Sequence, residues 1–415
     1  MTHTTRRMQD LIVDEHHFSA PLVWRDEADA RTIDVYASVV SREGGEELPF
    51  LLYLQGGPGH EAPRPLRNPT GPGWLDAALK EHRVVFLDQR GTGRSTPVGD
   101  RDLASPTDVV VEHLTHLRAD SIIRDAEALR ERLGVEKWSV LGQSFGGFCT
   151  LTYLSTAAAS LDKVYFTGGL SAIGKTPDEV YGVTYDKMRW ANANYYRRFP
   201  EHRAVVERLV GLADRGELVL PDGEVVSVSR IRSLGSLLGG DNGWQTLHAL
   251  LELDPGTNAF AHDLAAALPF GGRNPLYYVL HESCYADGVA TRWAADRAEP
   301  EDFRADPTLL TGEHVRREWA DTVPAFRPWR EVADQLAEVT WPKLYDADAI
   351  AASGAVGAAA VYFNDVYVPA ELSLATASLM PGLRPWVTNQ FEHSGLRAAD
   401  VLPRLIDLAH GRLVR

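Results

Sequence analysis

The chain has 415 residues, 44% of them hydrophobic and 24% charged. Those values are ordinary for a globular protein and exclude a disordered, collagenous or coiled-coil polymer. Its 42 basic and 57 acidic residues leave a net charge of −15. Binding to nucleic acid or to an anionic membrane surface is therefore not expected, because phosphate contacts need clustered Lys and Arg.

Length allows a few units of ~100–200 residues, or one large domain with an insertion. Cys149 and Cys284, the two cysteines, are too few for a disulfide framework or a Cys-rich zinc site. They are expected as small buried hydrophobes in a reducing compartment. Residues 1–14 carry Arg6 and Arg7 but no apolar run behind them, so no signal peptide is expected. No stretch reaches ~18 uninterrupted apolar residues, so no membrane span is expected. No strand-linked G-x-G-x-x-G, Walker loop or H-E-x-x-H is present. The expectation is a cytoplasmic protein with no cofactor and no metal.

In chain order, residues 11–18 and 32–40 read as strands, with alternation and β-branched residues, joined by an acidic turn at 26–29. Residues 50–55, 84–87, 138–141 and 164–167 are short apolar runs. Each enters a distinctive glycine-containing loop: GGPG, DQRGTGRS, GQSFGG and GG. Between them the clearest helix is 119–133, with apolar positions 122, 123, 126, 129 and 133 and Gly134 as its stop. Apolar strands alternating with helices predict a mostly parallel sheet covered on both faces, with ligands at the carboxyl ends of its strands.

From 171 to 335 the pattern is helical and rich in Trp and Arg, which predicts a helical insertion above the sheet. The SGAVGAAAVYF stretch at 353–363 reads as a turn leading into a buried strand. The sheet resumes at 358–363 and 384–391, and an amphipathic helix over 398–410 closes the chain. The predicted organisation is an α/β core from 1–170 and 336–415, interrupted by a helical cap at 171–335.

Gly142-Gln143-Ser144-Phe145-Gly146 fits G-x-S-x-G. Small residues two before and two after the serine let neighbouring backbone pass closely at a sharp strand-to-helix turn. Serine needs a base, and the base needs an orienting acid. In this topology the acid and then the histidine follow the serine in sequence. Asp365, after strand 358–363, and His393, after strand 384–391, fit that order. Glu392 is the rival acid, but it adjoins His393 and would point elsewhere. His113 and His116 lack a third partner spaced for a metal. The oxyanion hole is assigned to the backbone amides of Phe145 and Gly57, the latter in Gly56-Gly57-Pro58-Gly59.

Together these residues resemble the α/β-hydrolase superfamily, and more narrowly the proline iminopeptidase (prolyl aminopeptidase) family of serine peptidases. The family motifs H-G-G-P-G and D-Q-R-G-x-G-x-S stand here as Gln55-Gly56-Gly57-Pro58-Gly59 and Asp88-Gln89-Arg90-Gly91-Thr92-Gly93-Arg94-Ser95. NDVYVP around Asp365 and EHSG around His393 are similar to family blocks. The resemblance covers roughly 30–170 and 355–410, and the insertion more loosely.

It implies an α/β-hydrolase fold and an acyl-enzyme mechanism with Ser144, His393 and Asp365. The implied substrate is a small peptide or amide with a free N-terminal amine, from which the first residue, proline above all, is released. It also implies that Glu282, in His281-Glu282-Ser283-Cys284-Tyr285, and Glu313, in Thr311-Gly312-Glu313, bind that amine. Phe148 and Trp319 are candidates to wall a pyrrolidine-sized pocket.

Two departures stand out. Gln55 replaces the family histidine, and the run HVRREW after Glu313 is more basic than the family pattern. Asp88, Arg90 and Arg94 are expected to brace the site by ion pairs. Two other functions remain open: an esterase or amidase acting on a small metabolite with the same triad, and a non-catalytic receptor on this fold. A complete triad argues against the second.

Overall fold

In a computed structural model of the chain, residues 2–65, 73–397 and 400–414 are described. The strands are β1 (Thr2–Met8), β2 (Leu11–Pro21), β3 (Thr32–Arg42), β4 (Phe50–Leu54), β5 (Arg83–Leu87), β6 (Trp138–Gln143), β7 (Leu161–Thr167), β8 (Val356–Tyr362) and β9 (Leu383–Thr388). They form one nine-stranded sheet in the order β1-β2-β3-β5-β4-β6-β7-β8-β9. From β5 to β9 every neighbouring pair is parallel, and β1, β2, β3 and β5 pair antiparallel.

The short apolar runs are explained by burial on both faces. Leu52, Leu54, Val85, Leu87, Val140 and Phe166 pack in one cluster with helices Ala119–Arg132 and Phe145–Ala157. Their sequence neighbours Leu51, Tyr53, Val84, Phe86, Leu141 and Tyr165 pack on the other face, against helix Val401–Ala409. Alternate side chains of a strand point to opposite faces, so a strand covered twice has no polar side to show.

β1 was not expected. Its sequence, THTTRRM, has no apolar side, because it pairs at the sheet edge with β2 from Thr2↔His17 to Met8↔Leu11. A charged edge strand also resists pairing with another molecule. The expected last helix holds over Val401–Ala409; its first two residues, 398 and 399, lie outside the described residues.

The chain goes from β4 to β5 on one side and then crosses back to β6 on the other. The order therefore reverses between β4 and β6, and such a reversal opens a crevice at the carboxyl ends of the two strands. The loops leaving those ends are Gln55–Gly59 and the Ser144 turn.

Between β7 and β8 the described regular structure is helical, apart from an isolated bridge between Val219 and Val225. The helical elements run from Pro177 to Ala352. One hydrophobic cluster draws almost wholly on residues 181–310, with Val366 its contribution from beyond. Another joins Val110, Val111 and Leu114 to Leu276, Val332 and Leu336, and so ties the insertion to the core.

The DQRG loop is a structural brace. Asp88 is fully buried and accepts from Arg64 at 2.9 Å and from the Ala62 and Arg94 amides at 3.1 and 2.9 Å. Arg94 reaches Glu15 at 2.7 Å. Buried Arg90 holds buried Asp125 through Nε at 2.8 Å and also donates to the carbonyls of Leu22 and His116. Removing one member of such a pair leaves an uncompensated charge inside the protein. Arg90→Ala is expected to lower folding stability by roughly 3–5 kcal/mol, read as a loss of denaturant midpoint. A change under ~1 kcal/mol would mean the pair behaves like a surface ion pair.

Candidate active site

Ser144 sits between β6 and helix Phe145–Ala157 with φ 53° and ψ −124°, a region costly for a residue with a side chain. The neighbourhood holds it there. Its amide donates to Thr167 O at the end of β7 at 3.0 Å. A Cβ on Gly146 would lie 1.9 Å from Leu54 O, and one on Gly56 would lie 3.1 Å from Ser144 Cβ. Only glycine lets the two loops of the crevice come this close. Helix Phe145–Ala157 is buried from Phe145 to Leu154, so its first turn is fixed, and the first amides of a helix lack intrahelical partners.

Asp365 follows β8 and His393 follows β9. Asp365 Oδ2 accepts from His393 Nδ1 at 2.7 Å, and its Oδ1 takes the amides of Tyr367 and Val368 at 2.9 and 3.0 Å. The Asp365 side chain is wholly buried, while 12% of the His393 side chain remains exposed. With Nδ1 committed to the carboxylate, Nε2 is the nitrogen left to exchange a proton. A Cβ on Gly168, one residue past β7, would lie 2.9 Å from His393 Nδ1 and 3.2 Å from Asp365 Oδ2. The end of β7 thus touches both the Ser144 backbone and the Asp365–His393 pair. Burial pushes the His393 pKa down, but the charge and hydrogen bond of Asp365 outweigh it and leave the pKa raised. Glu392 takes no part in this bond. Burial, with Asp365 and Asp241 nearby, pushes its carboxyl up to about 7.

In the Gly-rich loop, Gly57 has φ 140° and precedes a cis Pro58. Gln55 faces away from this loop's business: its Oε1 accepts from Tyr53 at 2.8 Å and its carbonyl from Gln89 at 2.9 Å.

The two acidic residues of the insertion are placed differently. Glu313 accepts from the Tyr277 hydroxyl. Protein surrounds it, yet part of its surface stays reachable by solvent. Burial raises its pKa despite the Tyr277 bond, and its charge acts on His393. Glu282 is buried, and its oxygens accept from the Ala294 and Ala295 amides at 3.0 and 2.9 Å. Burial pushes its pKa up to about 7. Glu313 is thus near enough for its charge to act on His393, while Glu282 anchors the start of helix Ala294–Arg297.

An aromatic wall surrounds Glu313 that motif reading largely missed. Tyr277 stacks on Phe270 at 4.5 Å and meets His60 at 4.9 Å. Tyr285 meets Tyr181 at 5.4 Å and Phe148 at 6.1 Å, and Tyr367 meets the His393 ring edge-on at 5.0 Å. The signals were present: Tyr285 closes the HESCY motif and Tyr367 lies two residues after Asp365. Phe148 belongs to this wall. Trp319 does not; it packs behind Phe270 at 5.7 Å and donates to Ser229 Oγ at 2.7 Å. The basic run after Glu313 is neutralised inside the insertion. Arg316 pairs with Glu299 at 3.0 Å and Asp296 at 2.9 Å, and Arg317 with Asp334 at 2.7 Å.

Cys149 and Cys284 are both free and buried. Among the described residues, no helix is long and apolar enough to cross a membrane, and no group of three or more His, Cys, Asp or Glu is arranged to hold a metal ion.

The fold and the strained serine turn at its crevice define an α/β hydrolase, and residues 49–219 match the family described as alpha/beta hydrolase fold. A proline iminopeptidase of Aeromonas sobria is 40% identical over 420 residues, covering 95% of this chain and 96% of that one. A second, from Aspergillus aculeatus, is 30% identical and covers 96% of this chain and 94% of its own. The chain belongs to the proline iminopeptidase family.

Proposed function

We propose that the protein is a serine aminopeptidase that releases N-terminal proline from small peptides and proline amides. The observation that carries this reading is Glu313, a carboxylate bonded to the Tyr277 hydroxyl among aromatic side chains, with its charge acting on His393. A substrate with a free amine needs a counter-charge close to its scissile carbonyl.

In this reading His393 Nε2 takes the proton from Ser144 Oγ as the oxygen attacks that carbonyl. Asp365 holds the imidazole in the working tautomer and stabilises the imidazolium. The amides of Phe145 and Gly57 receive the oxyanion. The shortened peptide leaves with the proton from His393. Water, activated by the same imidazole, then frees proline from Ser144.

An ammonium leaving water must be paired. At about 4 Å and an effective dielectric of ~20, one carboxylate offers ~4 kcal/mol before desolvation is subtracted. Glu313 supplies that pairing. Glu282, whose oxygens are bonded to the Ala294 and Ala295 amides, can support that pairing only at longer range. The ring faces of Tyr277, Tyr285 and Phe148 suit a flat pyrrolidine. Residues 171–335 act as a cap that carries Glu313 and these tyrosines to the sheet edge, and the separate cluster at 181–310 supports treating it as a unit. Two free thiols fit a cytoplasmic setting.

Glu313→Gln is expected to lower kcat/KM for proline naphthylamide roughly a hundredfold, ~2.8 kcal/mol. An acetyl ester, which has no ammonium, should lose far less. Equal losses on both substrates would remove Glu313 from amine recognition. Turnover of acetyl esters with proline naphthylamide untouched would replace the peptidase reading with an esterase.

A further inference from the structure

A groove of about 410 Å³ opens beside the His393 loop, where the insertion meets the core. That volume is within the range of small-molecule sites, ~300–1,000 Å³. One wall is the end of helix Pro177–Arg198, with Trp190, Arg197 and Arg198; the other is Asp241 and Trp244 at the start of helix Gly243–Leu251. Glu392 completes it.

The groove is joined to the catalytic loop by backbone. His393 N donates to Gly239 O at 3.0 Å, and Glu392 N to Asp241 Oδ1 at 3.3 Å. Trp190 is 41% exposed, a large indole left in solvent. Arg197 donates to the side chain of Asn194, and Arg198 lies against Phe199 at 5.4 Å. Neither is in an ion pair among the described residues. Two guanidiniums and two indoles line the groove together with the carboxylates of Asp241 and Glu392, and the Arg197–Arg198 end offers a counter-charge to an anionic group.

The chemistry says which part of a substrate lies here. His393 must hand a proton to the departing nitrogen, so the leaving portion lies on the His393 side of the scissile bond. The groove borders the His393 loop through Glu392. We propose that it binds the part of a short peptide downstream of the scissile bond, with Trp190 and Trp244 flanking the chain and Arg197 and Arg198 pairing with its free C-terminal carboxylate. This rests on the aminopeptidase reading above and narrows it to short peptides with an unblocked C-terminus. Asp241 and Glu392 lie next to His393 and disfavour a carboxylate there. The preferred substrate therefore places its C-terminus past them, as a tripeptide does and a dipeptide does not.

The test compares kcat/KM for Pro-Gly-Gly as free acid, the same peptide as C-terminal amide, and proline naphthylamide. The wild-type protein should prefer the acid to the amide roughly five- to tenfold at low ionic strength, as expected for two partly exposed charge pairs. The double variant Arg197→Gln/Arg198→Gln should lose that preference; because both substrates are read on one protein, altered folding cancels. Naphthylamide turnover with no acid preference in the wild type, or a preference that survives in the double variant, overturns the groove assignment and leaves the peptidase reading standing. If proline naphthylamide and both peptides are all untouched, the peptidase reading fails and the groove assignment falls with it.

Discussion

Ser144→Ala is expected to lower kcat by roughly 10⁶ and to abolish labelling by a fluorophosphonate probe. The size of the effect follows from what the residue is proposed to do: without Oγ there is no acyl-enzyme, and water must attack directly. Oxyanion amides and substrate binding remain, so a rate ~10³–10⁴ above the uncatalysed one should survive. Alanine fits the elbow sterically as serine does, and the turn is held by the Ser144 N–Thr167 O bond and by the glycines around it. The variant should therefore melt within a few degrees of wild type. Undiminished labelling in the folded variant would transfer the nucleophile to another residue. A wild-type protein that never labels would favour a receptor on a hydrolase scaffold.

Asp365→Asn is expected to reduce kcat by about 10⁴ and to move the acid limb of the pH profile downward. An asparagine amide can donate to Nδ1, which puts the ring proton on Nε2, where it cannot accept from serine. The pH effect has a separate origin. Burial alone favours the neutral ring, and the Asp365 charge overrides it, so the wild-type His393 pKa lies above its ordinary value near 6.5. Catalysis needs the neutral ring, so kcat/KM falls as pH drops through that raised pKa. With the carboxylate charge gone, burial dominates and the fall comes at lower pH. Profiles from pH 5 to 9 on both proteins decide it; an unmoved acid limb would show that Asp365 does not set the imidazole's protonation.

Much of the proposed site was legible because the fold places consecutive loops at one edge. A parallel sheet sends every strand's carboxyl end the same way, so Ser144, Asp365 and His393 needed only to be read as the first distinctive residues past β6, β8 and β9. β1 was not legible, since an edge strand with both faces partly wet carries no apolar periodicity. Glu282 and Glu313 looked equivalent as motifs, yet one carboxylate is bonded to the Ala294 and Ala295 amides and the other to the Tyr277 hydroxyl. That difference depends on where Trp293 and Ala294 fold back, at a left-handed Trp293, which the local sequence does not announce. Arg316 and Arg317 appeared to bring positive charge toward the amine site. Their partners Glu299 and Asp334 lie 17 positions away on either side, too far for local pattern to reveal.

The bond from His393 N to Gly239 O ties the loop after β9 to the helical segment between β7 and β8. Tyr367 adds a second tether through its hydroxyl to Ser236 O. If the 236–241 segment swings outward, it pulls on the strand of chain that bears the imidazole. A displacement at either end of these two tethers is therefore transmitted to the imidazole.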